Sequence, residues 1–129
     1  MKTTLIDHIV LTVADIERTA EFYCRALGMQ KEAFDNGRVA LRFGDQKINL
    51  HQAGQEFEPK ARNPIPGSAD LCFITCAGIE QAMAEIRTIG VPIEEGPVDR
   101  IGARGPMRSF YFRDPDGNLI EVASYRGGT

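Results

Sequence analysis

The residues with chemistry to offer are few and regularly placed. The chain holds two histidines, His8 and His51, and both fall on short strand patterns, as do Asn49, Asp70 and Glu121. Two imidazoles with one or two carboxylates make a mixed nitrogen and oxygen donor set, which suits Zn, Ni, Mn, Co or Fe(II) without choosing among them. A cation held this way keeps open positions for a substrate, and stabilises negative charge that develops on the substrate's oxygens.

These positions recur because the chain repeats. DHIVLTVADIERTAEFYCRALGM opens the first half and ADLCFITCAGIEQAMAEIRTIGV the second, each a strand pattern followed by a helix pattern. Ile48-Asn49-Leu50 closes the first copy and Ile120-Glu121-Val122 the second. In that register His8 corresponds to Asp70, and Asn49 to Glu121.

Alternation over residues 5 to 13 predicts a strand, and Asp15 suits the N-cap of a helix that carries Ile16, Ala20, Tyr23 and Leu27 on one face and stops at Gly28. Strands are predicted near 30 to 34, 38 to 43 and 46 to 52, separated by Asn36-Gly37 and Gly44-Asp45. The second copy predicts a strand over 69 to 75 and a helix carrying Ile79, Ala82, Met83, Ile86 and Ile89, which stops at Gly90 ahead of Pro92. Strands near 92 to 95, 107 to 113 and 118 to 125 follow, the last two joined by the turn Asp114-Pro115-Asp116-Gly117. The segment 53 to 68 has three prolines and no period, and reads as a connector. The expected organisation is a single domain over 1–129, with a first module at about 4–52, the connector at 53–68 and a second module at about 69–126.

The alternation also sorts each strand into two faces. Ile9 and Leu11, Leu41 and Phe43, Ile48 and Leu50, Leu71 and Phe73, Phe110 and Phe112, and Ile120 and Val122 form an apolar set that belongs under the helices. The opposite set collects His8 and Thr12, Arg38 and Arg42, Asn49 and His51, Asp70 and Cys72, Ser109 and Tyr111, and Glu121. On that face Arg42 or Arg38 is placed to hold an anionic substrate group, with Asn49, Ser109 and Tyr111 as further substrate-binding candidates. Plainer readings stand beside these: a turn-anchoring carboxylate for Asp70 after Gly67-Ser68, paired surface arginines for Arg38 and Arg42, a structural role for Tyr111, and a strand-end histidine for His51.

Composition narrows the classes. A net charge of -3 provides no basic stripe for nucleic acid, and no apolar run approaches the ~20 residues needed to cross a bilayer. The start MKTTLIDHIV lacks a secretory pattern, so a cytoplasmic location is expected. Cys24, Cys72 and Cys76 form neither an even disulfide framework nor a zinc pair, and read as reduced packing residues.

With the repeat, DHIVLTVADIERTAEFYCRALGM at the front and FYFRDPDGNLIEV at the back, the chain resembles the vicinal oxygen chelate superfamily, which includes glyoxalase I, bleomycin-resistance proteins and extradiol dioxygenases. FGDQKINLH, FEPKA and PGSADLCFIT make it most similar to small uncharacterised or virulence-associated glyoxalase-domain proteins. The resemblance implies an α+β fold of two βαβββ modules, forming a curled eight-stranded mixed sheet around a metal and substrate cavity. It implies one divalent metal, with His8, Asp70 and Glu121 among the ligands, Glu121 also catalytic, and Asn49 at the remaining position. His51, two residues on and on the same face, is an alternative third ligand.

The implied function is a metal-dependent lyase, isomerase or transferase acting on a small molecule that chelates through vicinal oxygens, in a homodimer whose connector reaches the neighbouring chain. Two alternatives stand beside it. One is a metal-free dimeric protein that sequesters a drug, as bleomycin-resistance proteins do. The other is an Fe(II) extradiol dioxygenase using His8, His51 and Glu121, although Asp70 takes the usual second histidine position and no third histidine is present to act as base.

Overall fold

The computed structural model describes residues 1–125, which divide into two compact units with the boundary between Gly67 and Ser68. Arg126, the end expected for the second module, lies outside the described residues.

In the first unit the elements are β1 (His8–Val13), α1 (Ile16–Leu27), β2 (Gln30–Phe34), β3 (Arg38–Phe43) and β4 (Gln46–Gln52). Asp15 starts the helix as expected: its extended backbone ends the strand direction, and its Oδ1 accepts from the Arg18 N–H at 3.1 Å. Such a cap is worth about 1 kcal/mol. Gly28 ends the helix in the left-handed region, at φ 67°. The sheet order is β1-β4-β3-β2, with β1 and β4 parallel and the other pairs antiparallel. Helix α1 packs over β2, β3 and β4, where Leu11, Val13, Ala20, Tyr23, Leu41, Ile48 and Leu50 are buried.

In the second unit β5 (Asp70–Ile74), α2 (Ile79–Thr88), β6 (Glu95–Gly102), β7 (Gly105–Arg113) and β8 (Leu119–Tyr125) repeat the pattern in the order β5-β8-β7-β6. Its core holds Ile79, Met83, Ile86, Phe110, Phe112, Ile120 and Val122. The eight expected strands are thus present as two four-stranded mixed sheets, each with one helix. Ile9 and Leu71, assigned to the apolar set, are only half-buried, because β1 and β5 are edge strands; Phe43, beside the β3–β4 turn, and Phe73 are also half-buried.

The strand expected at 92 to 95 is displaced: β6 begins at Glu95 and runs to Gly102. Gly96-Pro97, just past the expected end of that strand, forms a bulge within β6, with the register shifting between Glu95 and Val98. An edge strand tolerates the proline's missing N–H. Gly96 itself is obligatory, because its φ is +124° and a Cβ there would meet the Phe110 Cβ at 2.6 Å.

The Asp114–Asn118 turn is a buried anchor. Asp114 Oδ1 accepts from the N–H groups of Asp116 and Asn118, both at 2.9 Å, and Asn118 Nδ2 donates to Asp114 Oδ2 at 2.7 Å. Asn118 Oδ1 in turn accepts from the Ala69 N–H at 2.8 Å, which fastens the entry of β5 to the start of β8.

Candidate functional site

Strand register decides which polar residues share a face. In the first module Val10 pairs with Asn49 and Thr12 with His51, while Asn49 also pairs with Ala40 on β3. The helix-free face therefore carries His8, Thr12, Asn49, His51, Arg38 and Arg42. His8 pairs laterally with Lys47, so it lies diagonally from Asn49, one step along the strand face.

The second module repeats this arrangement. Cys72 pairs with Glu121, Tyr111 flanks Glu121 from β7, and Asp70 lies diagonally at the start of β5. Ser109 is on the same face, paired with Ala123. The sequence correspondence of His8 with Asp70 and of Asn49 with Glu121 is thus also a correspondence of hydrogen-bonded register.

Four side-chain atoms in these faces are buried without a hydrogen-bond partner: Asn49 Oδ1, His51 Nδ1, Ser109 Oγ and Glu121 Oε2. Buried polar groups are nearly always paired, because leaving one unpaired costs on the order of 1–3 kcal/mol. All four belong to residues that the sequence marks as binding candidates, and none belongs to a helix-facing position. Such a concentration of unmet hydrogen-bonding capacity is what a ligand would satisfy.

The individual environments differ. His51 is 6% exposed, and burial, then the Arg38 charge, push its pKa below the ordinary imidazole value, against a smaller opposing effect of Glu56. Its ring meets Phe57 edge-on, with centroids 5.6 Å apart, and the Arg38 guanidinium lies 4.4 Å above the same Phe57 ring. His8 is exposed, with Nδ1 2.9 Å from Asp7 Oδ2. Asp70 is exposed at the first position of β5. Arg42 is engaged by Glu32 through two hydrogen bonds of 2.8 and 3.1 Å, the paired arrangement that was the plainer reading for it.

On the second module the Tyr111 hydroxyl accepts from Arg100 Nε at 2.9 Å, and Arg100 Nη2 donates to Glu95 at 2.9 Å. Burial is the main influence on the Tyr111 hydroxyl and raises its pKa, with Glu121 acting in the same direction. The Cys72 thiol is pushed up to about 12, first by burial and then by the Glu121 charge, so Cys72 is held as a neutral thiol beside a carboxylate. Arg100 and Phe57 escaped sequence reasoning. Arg100 sits on the strand whose position was misjudged, and Phe57 in a connector without a period to give it a face.

The donors fit a divalent cation in kind, since a neutral imidazole and an unpartnered carboxylate oxygen are both shielded from water. They are not gathered in number: among the described residues no three His, Cys, Asp or Glu side chains form a group able to hold a metal ion. No helix of the described residues is long and apolar enough to cross a membrane.

The chain is similar to proteins of known sequence over nearly its full length. Virulence protein STM3117 of Salmonella typhimurium is 58% identical over 120 residues, covering 93% of this chain and 83% of that protein. Glyoxalase domain-containing protein RDO1 of Mycosarcoma maydis is 54% identical over 121 residues, covering 94% and 68%. Among solved structures, the integron cassette protein VCH_CASS1 from the mobile metagenome of V. cholerae superposes with a TM-score of 0.96 at 61% identity, covering 97% of this chain and 98% of that one. Residues 5–122 match the family model described as Glyoxalase/Bleomycin resistance protein/Dioxygenase superfamily, and with the paired βαβββ modules and the identity to these relatives, the chain belongs to that superfamily.

Proposed function

We propose that the protein is a small-molecule enzyme of this superfamily whose substrate engages the helix-free sheet faces, with His8, His51, Asp70 and Glu121 as the candidate ligands of a divalent metal. The observation that carries this reading is the set of unpartnered, buried atoms on Asn49, His51, Ser109 and Glu121. When bound, the cation would supply charge stabilisation for adjacent substrate oxygens as they become negative.

The chain's own residues have separable tasks in this reading. Glu121, with one buried oxygen lacking a partner, accepts a proton from the substrate. Tyr111 accepts from Arg100 and so keeps its own proton to donate to a substrate oxygen. Asn49 and Ser109 orient polar substrate groups through the atoms that have no protein partner. The chemistry is lyase, isomerase or transferase chemistry on vicinal oxygens, in a cytoplasmic homodimer.

The test is metal content by elemental mass spectrometry on untagged protein, compared with a His8→Ala, Glu121→Ala double variant. About one transition metal per chain, lost in the variant, is expected. The fold should survive, because Leu11, Ile48, Phe110 and Ile120 are untouched. Metal content unchanged by the double substitution would overturn the ligand assignment.

A second reading has a specific observation in its favour. No three donor side chains gather among the described residues, and His8 is already tied to Asp7. A metal-free protein that sequesters a polar ligand needs no ligand triad, and would use the same unpartnered atoms. Protein that takes up none of Zn, Ni, Mn, Co or Fe(II) in equilibrium dialysis, yet binds small ligands at Asn49 and Glu121, would decide for it.

A further inference from the structure

We infer that the first module recognises the carboxylate of its ligand, and that Arg38, on the corner formed with His51 and Phe57, is the residue that does so. The inference rests on the reading that the helix-free face receives a small ligand; it does not rest on a metal.

The charges of this face argue for an anion. By strand register it carries Arg38, Arg42 and Lys47 but only one carboxylate, Glu32, although the chain as a whole has more acids than bases. Glu32 is consumed by Arg42. Lys47 lies 4.0 Å above the Phe34 ring. Arg38 is half-buried and has no carboxylate partner among the described residues; what it has is the face of Phe57 at 4.4 Å.

An aromatic ring beneath a guanidinium fixes its plane while leaving its N–H edge for a ligand. That edge presents donors in the fork that matches a planar carboxylate. Beside it, the His51 side chain is more than nine-tenths buried with Nδ1 unpartnered, and a second donor or acceptor is therefore available at the same corner. Glu56, the nearby carboxylate whose charge reaches His51, is turned to the Gly54 N–H at 2.7 Å and to Lys60 at 3.5 Å rather than to Arg38.

Arg38 thus differs from Arg42 in the respect that matters for recognition. Both are arginines of β3 on the same face, but one is satisfied within the protein and the other is oriented and unneutralised. The connector matters as well, since Phe57 comes from the segment between the strands of the two modules and completes the corner from outside the sheet.

The experiment is an NMR titration of the full ¹⁵N-labelled chain with propionate and, separately, with its neutral isostere propionamide, in the presence of a chelator so that bound metal plays no part. Propionate should give saturable shifts at the amides of Arg38, His51 and Phe57, with affinity in the millimolar range usual for a ligand of this size. Arg38→Gln should weaken binding at least tenfold, Arg38→Lys should lie between, and Arg42→Gln should stay within twofold of the parent. Equal binding of propionate and propionamide, undiminished by Arg38→Gln, would leave the ligand face standing and overturn the carboxylate assignment. Absence of saturable binding by both probes would overturn the assignment together with the reading that this face takes a small ligand.

Discussion

Asn49 and Glu121 occupy the same register position in their two modules, and each buries a side-chain oxygen that no protein group satisfies. One is an amide flanked by Val10 and Ala40; the other is a carboxylate flanked by Cys72 and Tyr111. Both positions are polar, but one offers a neutral amide and the other a carboxylate. Residues held unsatisfied in this way cost stability, and function is where that cost is ordinarily recovered.

The stability cost is measurable at Ser109, whose hydroxyl is fully buried and unpartnered. Ser109→Ala removes an unsatisfied group and nothing that the protein uses internally. Urea unfolding should show the variant to be as stable as the parent or more stable by up to about 1 kcal/mol. Ligand binding should fall in the same variant, and a loss of stability above that size would show that the hydroxyl is satisfied within the protein after all.

Gly96 should tolerate substitution much less than Gly117, although both have positive φ. Gly117→Ala places its Cβ in open space, so the cost is backbone strain alone, about 1–2 kcal/mol. Gly96→Ala adds contacts at 2.6 Å with the Phe110 Cβ and 2.9 Å with the Ser109 carbonyl oxygen, both on the strand that also carries Tyr111. Thermal unfolding of the two variants should differ by several degrees, with Gly96→Ala the lower. Equal melting temperatures would show that the β6 bulge relaxes freely.

Asn118 fastens β5 to β8 through a network centred on two buried side chains, its own and that of Asp114. Asn118→Ala removes the hydrogen bonds that join its side chain to Asp114 Oδ2 and to the Ala69 N–H, and should cost about 2–4 kcal/mol by chemical denaturation. Amide exchange should quicken at Ala69 and at the start of β5 more than in the first module. A uniform change across both modules would mean that the turn anchors no particular strand.

The raised pKa of Cys72 predicts its reactivity. A thiol held at about 12, against an ordinary 9.0, stays protonated through neutral and mildly alkaline pH, and the thiolate is the species that alkylates. Both Cys72 and Cys76 are exposed, yet at pH 8.5 Cys72 should react with iodoacetamide at least tenfold more slowly than Cys76, by peptide mass spectrometry. Because the folded-state pKa exceeds the unfolded one, this thiol's contribution to stability is present below pH 9 and is lost as pH rises toward 12. Glu121→Gln removes the neighbouring charge and should speed the reaction; no change would assign the shift to burial alone.

Much of this protein was legible in its sequence because local rules sufficed. The Asp15 cap, the Gly28 stop, the Asn36-Gly37 turn and alternation over β3 and β4 are short-range signals, and they located α1, β2, β3 and β4 almost to the residue, whereas β1, expected from residue 5, begins at His8. The repeat then identified the positions of His8, Asn49, Asp70 and Glu121 as equivalent, since a two-residue period assigns a face without knowledge of what packs there. Tertiary structure decided what each polar group meets. Gly96-Pro97 looks like the end of a strand and is a bulge within one, because an edge strand with no outer neighbour can lack an N–H. Whether Arg42 or Arg38 is the unneutralised cation depends on Glu32, ten residues from one of them in sequence and across the β2–β3 pair in space. Phe57 reached His51 and Arg38 from a segment with no period at all. Periodicity reports which side of a strand a residue takes; partnership and burial are properties of the neighbours, and only folding brings those together.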